Sequence, residues 1–396
     1  MEYANQLSDH HSLSTLALHA DSAFEDVQDA APPLHVATTF KYTQDPDLLV
    51  PVPHRDTESS VQHDYYYSRI SAPTTERFEA LLTSLLGADA VAYPSGLCAF
   101  QAALILLNPR RVAFRHDLYF GCQGVIDIVA KLSGLQKLSL ECDAEQLQTG
   151  DLIVLETPLS PSGYALNIAK YAEKAHRHGA WLLVSNTLAP PGLQDPFAHG
   201  ADLVMHAGSK YIGGHADMLC GVLATNNKDW SAQLRKERSL MGAVVGNFES
   251  WLGIRSLRTL QVRIERQTQS AQKLVTWLVN SLSGHGEDSL ILKSVIAEVG
   301  HTSLQKEDFD WLLTQMPRGF GPLFSITMKT ENMARQLPSK LRLFSHQTSF
   351  GGVESSIEWR KMSDVQTDSR LLRVSIGLED WEDLRRDIVS GIMRME

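Results

Sequence analysis

Cysteine is scarce: the chain of 396 residues carries four, Cys98, Cys122, Cys142 and Cys220. No two form a C-x-x-C pair and none stands at zinc-ligand spacing, which excludes a disulfide-stapled scaffold and a structural zinc site. Isolated thiols fit a reducing, cytoplasmic compartment. Long apolar runs are missing as well, since no stretch reaches the roughly 18 consecutive apolar residues of a membrane helix. Residues 1–13 hold Glu2, Asp9, His10 and His11 where a signal peptide would need an apolar core. Positive charge is in deficit: 36 Lys and Arg against 46 Asp and Glu give a net charge of −10. With no basic run, binding to a phosphate backbone is not expected. Several catalytic signatures are absent too, among them H-E-x-x-H, the Walker loop, G-x-S-x-G and G-x-G-x-x-G. His176 and His178, two apart on a predicted helix, point to different faces and make poor metal ligands. No metal, nucleic-acid or membrane partner is expected.

What is present has the composition of a soluble globular protein, 43% apolar and 21% charged. At about 150 residues per domain the length allows two or three domains. Residues 1–70 read as an arm. Pro32, Pro33, Pro46, Pro51 and Pro53 and the polar run 55–64 break any periodicity and leave little apolar core. From residue 74 onward, helices alternate with short apolar runs. Helices are predicted over 75–86, 97–107 and 168–178, the last with Asn167 as N-cap and Gly179 beyond its end. Strand-like runs fall at 90–93, 152–155, 181–184, 203–205 and 219–224. Such alternation predicts an α/β fold with a mostly parallel central sheet covered by helices on both faces. One long helix is predicted over 254–282, followed by strands at 323–328 and 371–376 and a closing helix over 380–393. The resulting division is an arm (1–70), a large domain (71–255) and a smaller α/β C-terminal domain (256–396).

In a parallel sheet, ligands bind outside the carboxyl ends of the strands, and three such ends stand out. Ser95-Gly96-Leu97 is a small turn opening a helix, whose free amides and dipole suit a phosphate. Lys210 follows a strand end among small residues, His206-Ala207-Gly208-Ser209-Lys210, with Gly213 and Gly214 beyond it. A lysine desolvated near a phosphate becomes a nucleophilic amine able to condense with an aldehyde. Ser185-Asn186-Thr187 would face the same crevice, and Tyr119 offers an aromatic face for a ring. A phosphate cradle, an activated lysine and a stacking aromatic together point to pyridoxal 5'-phosphate (PLP), which acts as an electron sink.

These residues also carry a resemblance, running from about residue 65 to the C-terminus. The chain is similar to the Cys/Met metabolism family of PLP enzymes, the cystathionine γ-synthase and methionine γ-lyase group. The implied fold is the aspartate aminotransferase-like, type I fold of PLP-dependent transferases. Tyr67-Ser68-Arg69 resembles the family's Y-S-R element, whose tyrosine and arginine reach the cofactor phosphate of a neighbouring subunit. That implies a homodimer or homotetramer with active sites at the interface. Ser95, Gly96 and Leu97 match the phosphate turn, Tyr119 the ring-stacking tyrosine, and Glu156-Thr157-Pro158 the E-T-P strand end. Ser209-Lys210 matches the pair whose lysine holds the aldehyde. Ser349, in a S-F-G-G-V-E-S stretch, resembles the element beside the substrate, and Arg373 the arginine that clamps the amino-acid carboxylate. Tyr67 would also border the substrate.

Four positions depart from the family pattern. Ser185 replaces the aspartate that pairs with the pyridine nitrogen, and Thr187 closes that triplet unchanged. Ala207 replaces a phosphate-binding serine, Ser160 an asparagine near the cofactor's phenolic oxygen, and Ala72 the asparagine of N-P-T. The resemblance implies γ-replacement on an O-activated homoserine such as O-acetyl-L-homoserine, through a vinylglycine-type intermediate. A second substrate would supply the sulfur, carbon or nitrogen nucleophile, and the Ala72-Pro73-Thr74-Thr75 element resembles the family's fungal biosynthetic branch. Two alternatives stay open: a γ- or β-lyase releasing a 2-oxo acid and ammonia, and a weakened relative acting as a partner subunit.

Overall fold

The computed structural model describes residues 11–24, 29–51 and 65–395, so the polar run 55–64 lies outside the described residues. The arm is only partly what the sequence predicts. Its first helix, α1 (Leu13–His19), buries Leu16 and Ala17, and Ala20 follows them into the core beside Phe78, Leu81 and Ile254. Asp21, 1% exposed, pairs there with Arg77 and Arg258, each at 3.1 Å. A seven-residue helix is too short a signal to stand out ahead of a proline-rich stretch. Residues 29–51 are largely exposed and are held by an antiparallel bridge from Thr39 to Tyr67, by the His35 amide donating to Thr74 Oγ1 at 3.2 Å and by the Trp251 indole donating to the Pro32 carbonyl at 2.9 Å.

Short runs almost free of polar side chains belong where both faces of a sheet are covered. α2 (Pro73–Leu86) leads into β1 (Asp89–Tyr93), α3 (Gly96–Leu107), β2 (Arg111–Phe114), α4 (Phe120–Ser133) and β3 (Gln136–Ser139). Then come β4 (Leu152–Glu156), α5 (Ile168–His176), β5 (Trp181–Ser185), β6 (Leu203–Ala207) and β7 (Gly221–Thr225). α2 begins two residues before the predicted start because Pro73 suits a first turn, and Gly87, at φ 64°, stops it. The sheet order is β1-β7-β6-β5-β4-β2-β3. β3, β2, β4, β5 and β6 are parallel, and β7 runs antiparallel to both β6 and β1. β1 therefore points with the parallel set, and every strand except β7 ends on one edge.

After α6 (Lys228–Met241) the predicted single helix 254–282 is two, α7 (Asn247–Leu257) and α8 (Leu260–Leu282). The apolar stripe runs straight through the break, so periodicity could not show it. The buried Arg263 stabilises the break: its guanidinium donates to the Ser256 carbonyl at 3.0 Å, to the Tyr211 carbonyl at 2.9 Å and to Thr259 Oγ1 at 3.2 Å. α9 (Ser289–Val295), β8 (Ile296–Gly300), α10 (Phe309–Gln315), β9 (Leu323–Met328) and α11 (Glu331–Lys340) follow. β10 (Ser345–His346), β11 (Ser356–Trp359), β12 (Leu371–Ser375) and α12 (Trp381–Met393) complete a second sheet, ordered β10-β11-β12-β9-β8, and its covering helix. α8 serves both cores: Leu260 and Ile264 pack with α1 and α2, while Ala271, Leu274, Val275 and Leu278 pack under the second sheet. Among the described residues no helix is long and apolar enough to cross a membrane, and no cluster of metal-ligating side chains occurs.

Removing one partner of a buried ion pair leaves the other charge uncompensated. Asp21→Ala is expected to lower the unfolding free energy by about 3 kcal/mol in urea titration. A loss below about 1 kcal/mol would show that α1 is not part of the cooperative core.

Candidate active site

The edge where the strands end gathers the site. β1 ends at Tyr93, and Ser95 caps α3, its Oγ accepting from the Cys98 amide at 3.1 Å and its carbonyl from the Ala99 amide at 3.1 Å. That leaves the amides of Gly96 and Leu97 without a hydrogen-bond partner among the described residues, at the positive end of a twelve-residue helix. Tyr93 and Ala207 both pair with Gly221, which sets this turn beside the end of β6. Tyr119 precedes α4; its amide donates to Glu156 Oε2 at 3.2 Å and its ring is half exposed. A Cβ at Gly121 would lie 2.7 Å from Tyr119 Cε1 and 3.0 Å from the Leu97 methyls, so the ring and the anion turn are neighbours. Burial pushes the Glu156 carboxyl up to about 7.

Lys210 sits in a tight turn after β6, its amide bonded to the Ala207 carbonyl at 3.1 Å. Its Nζ donates to Ser349 Oγ at 2.6 Å and stands 5.1 Å above the Phe350 ring. Burial first, and the Arg373 charge second, lower the amine from 10.5 to about 8, with Glu358 pulling the other way. Ser349 occupies the left-handed region, at φ 79°, and Gly351 follows at φ 87°. A side chain at Gly351 would strike the Lys210 backbone at 2.9 Å, so only glycine lets this turn press against the lysine.

Arg373 on β12 faces Glu358 on β11 across the register and pairs with it at 2.6 Å. The guanidinium also donates to the Ser349 carbonyl at 3.0 Å and to Ser160 Oγ at 3.2 Å. Desolvation lowers its pKa to about 10, although Glu358 opposes the shift. The sequence reading missed Glu358. Its signal, an acid and an arginine on two strands of the small domain, becomes legible only once β11 and β12 are known to pair. Ser160, which stands where relatives have an asparagine, bonds to the carboxylate clamp.

The remaining predicted residues lie in different places. Ser185 ends β5, is 7% exposed, and its hydroxyl has no hydrogen-bond partner among the described residues. Thr187 Oγ1 accepts from the Ala207 amide at 2.9 Å and ties the ends of β5 and β6 together. Ser209, beside the lysine, accepts from the Cys220 amide at 2.9 Å through its hydroxyl, which also donates to the Cys220 carbonyl at 3.4 Å and closes the β6–β7 connection. Tyr67 and Arg69 join none of this within one chain. Arg69 donates to the Ser239 carbonyl at the end of α6 at 2.8 Å and lies 5.5 Å over the exposed Tyr67 ring. His176, expected on the surface, is exposed and pairs with Asp202 at 2.9 Å.

This donor set fits pyridoxal phosphate. The Gly96 and Leu97 amides would take the phosphate, Tyr119 the ring face and Lys210 the aldehyde, while Ser185 would offer the ring nitrogen a neutral hydroxyl. When bound, the cofactor supplies the electron sink for cleavage next to an amino group.

Residues 14–393 match the sequence pattern of the Cys/Met metabolism PLP-dependent enzyme family. The cystathionine β-lyase of Lactococcus lactis subsp. cremoris is 30% identical over 352 residues, 83% of this chain and 88% of its own. The cystathionine γ-synthase of Escherichia coli K12 is 30% identical over 383 residues, covering 91% and 92%. The crystal structure of cystathionine γ-lyase from yeast superimposes with a TM-score of 0.83 at 28% identity, over 98% of this chain and 99% of that one. With this fold, this strand-end lysine and a match over nearly its whole length, the chain belongs to the Cys/Met metabolism family of PLP-dependent enzymes.

Proposed function

We propose that the enzyme carries out γ-replacement on an O-activated L-homoserine such as O-acetyl-L-homoserine, joining Cγ to a sulfur, carbon or nitrogen nucleophile. The observation that carries an amino-acid substrate is the double use of Ser349, whose hydroxyl holds Lys210 and whose carbonyl holds Arg373. One residue thereby fixes the distance between a base and a carboxylate clamp. Arg373 orients the substrate through its α-carboxylate, the fork being matched to that group. Lys210, with its amine near 8, can take a proton from Cα and return one at the neighbouring carbons close to neutral pH. Replacement is supported by the E. coli γ-synthase, whose likeness spans 91% of this chain. A lyase differs only in what attacks the activated carbon, and the L. lactis β-lyase keeps that reading as the competing outcome.

The assembly belongs to the same proposal. Arg69, bonded to the end of α6, and the exposed Tyr67 beneath it would complete the phosphate site of a neighbouring copy in a cytoplasmic homodimer or homotetramer.

Holoenzyme given O-acetyl-L-homoserine and L-cysteine is expected to form the coupled thioether in excess of 2-oxobutyrate. Equal 2-oxobutyrate release with and without cysteine would establish a lyase instead. Lys210→Ala should lower either rate by roughly 10²–10⁴-fold.

A neutral hydrogen bond at the ring nitrogen is weaker than a charge-assisted one by about 1–3 kcal/mol. Ser185→Asp is therefore expected to raise kcat roughly ten- to a hundredfold. An unchanged rate and absorption spectrum would show that Ser185 does not face the ring.

Only the unprotonated amine attacks an aldehyde, and lowering its pKa raises the reactive fraction at neutral pH. Cofactor uptake by the apoprotein should rise about tenfold per pH unit up to about pH 8 and level off above it, read as growth of visible absorbance. A plateau beginning only above pH 10 would mean that the amine is not desolvated.

A further inference from the structure

Glu358 is shared. Its Oε2 accepts from Arg373 at 2.6 Å and from Arg360 Nη1 at 2.9 Å, and its Oε1 accepts from Ser363 Oγ at 2.6 Å. The three charged side chains are 3%, 7% and 13% exposed for Glu358, Arg373 and Arg360. Two guanidiniums around one carboxylate leave a single net positive charge in a nearly dry environment. Without Arg360, the Arg373–Glu358 pair would be neutral, and an incoming carboxylate would meet a clamp already satisfied.

Arg360 is also incompletely used. Nη1 reaches Glu358 and, at 2.9 Å, Ser363 Oγ, but its buried Nε has no hydrogen-bond partner. A guanidinium prefers to grip a carboxylate with two parallel N–H bonds. While Arg373 occupies Glu358 Oε2, only one of those bonds forms. Arg360 stands in the 3₁₀ turn directly after β11, and its charge reaches both the Arg373 guanidinium and the Tyr119 hydroxyl.

Resting on the amino-acid reading of the site, we propose that Arg360 is a positioning residue that competes with Arg373 for Glu358 and so frees Arg373 to bind the substrate α-carboxylate. When a carboxylate engages Arg373, Glu358 passes to Arg360, whose idle Nε completes the fork. Arg360 touches neither substrate nor cofactor; it acts through Glu358. The ligand class it serves is any α-amino acid, and an amine without a carboxylate gains nothing from it.

The test uses holoenzyme and two probes without a leaving group, L-norvaline and its decarboxylated counterpart n-butylamine, titrated by the change in visible absorbance. Arg360→Gln is expected to weaken L-norvaline about tenfold or more and to leave n-butylamine unchanged. Arg360→Lys, which keeps the charge, should recover most of that loss. In a Glu358→Gln background the Arg360→Gln penalty should vanish, because there is no carboxylate left to share. A penalty that persists there would show that Arg360 contacts the ligand directly. Equal weakening of both probes would show a general structural role, and either result overturns the inference. L-norvaline binding unchanged in Arg360→Gln overturns it too while leaving the proposed function standing. A holoenzyme that responds to no amino acid at all overturns both.

Discussion

The site depends on one joint. Ser349 belongs to the turn between β10 and β11 of the second sheet, yet it holds a lysine from the edge of the first sheet and an arginine from β12. To do so it adopts φ 79°, a conformation that costs a side-chain-bearing residue about 1–2 kcal/mol. Two hydrogen bonds from charged donors, each contributing about 1.5–3 kcal/mol, are enough to offset that strain. Strain of this kind persists only where the surroundings over-determine it. Here Gly351, pressed on the Lys210 backbone and donating its amide to Ser375 Oγ at 3.1 Å, provides that constraint.

A second network, built mainly of side-chain amides, keeps the strand ends from drifting. Asn186, fully buried after β5, accepts from Gln194, which also donates to the Thr157 carbonyl at 3.2 Å. Gln315 at the end of α10 donates to Gln194 Oε1 at 2.9 Å and accepts from the Ile168 amide at 2.9 Å. Gln305 adds a two-way bond with the Ala165 backbone. Amides, each both donor and acceptor, can cross-link three loops without adding charge. The pocket's field is thereby left to Lys210, Arg373, Arg360, Glu358 and the Glu156 carboxyl, which burial pushes up to about 7. That separation explains why a chain with an acidic balance of −10 can still present a positive pocket.

How much of this was legible in the sequence follows from the range of each interaction. Asn167 as a cap and the buried β4 and β5 are local: residues a few positions apart settle them, and sequence and structure agree. The second sheet's β9 lies where its apolar alternation predicted. Failures occur where distant groups decide. The α7–α8 break is held by Arg263 reaching back to Ser256 and across to Tyr211, which an unbroken apolar stripe conceals. Glu358 gains its meaning from a strand pairing fifteen residues away. Ser209 stands in the motif beside Lys210, yet its contacts with the carbonyl and amide of Cys220, eleven residues on, are invisible to the motif. Motifs locate a site well; they do not say which of their polar atoms the fold has already used.

The same reasoning bears on the serine at the end of β5. A carboxylate at position 185 would deepen the electron sink, but it would also add a negative charge to the edge that carries Lys210. Opposite charge favours the protonated amine, so such a carboxylate would raise Lys210 from about 8 toward the ordinary lysine range. Ser185 removes that pull. With Ser185 at the ring nitrogen as proposed, the chain would combine a weaker acceptor of electrons with a base that is more fully deprotonated near neutral pH. The clamp follows the same logic, since Arg373 is lowered to about 10 by burial and kept positive by Glu358 beside it. On the proposed assignments, the departures would shift demand from the cofactor's ring to the protein's own base and clamp, and the joint at Ser349, which holds both, would become the feature on which catalysis most depends.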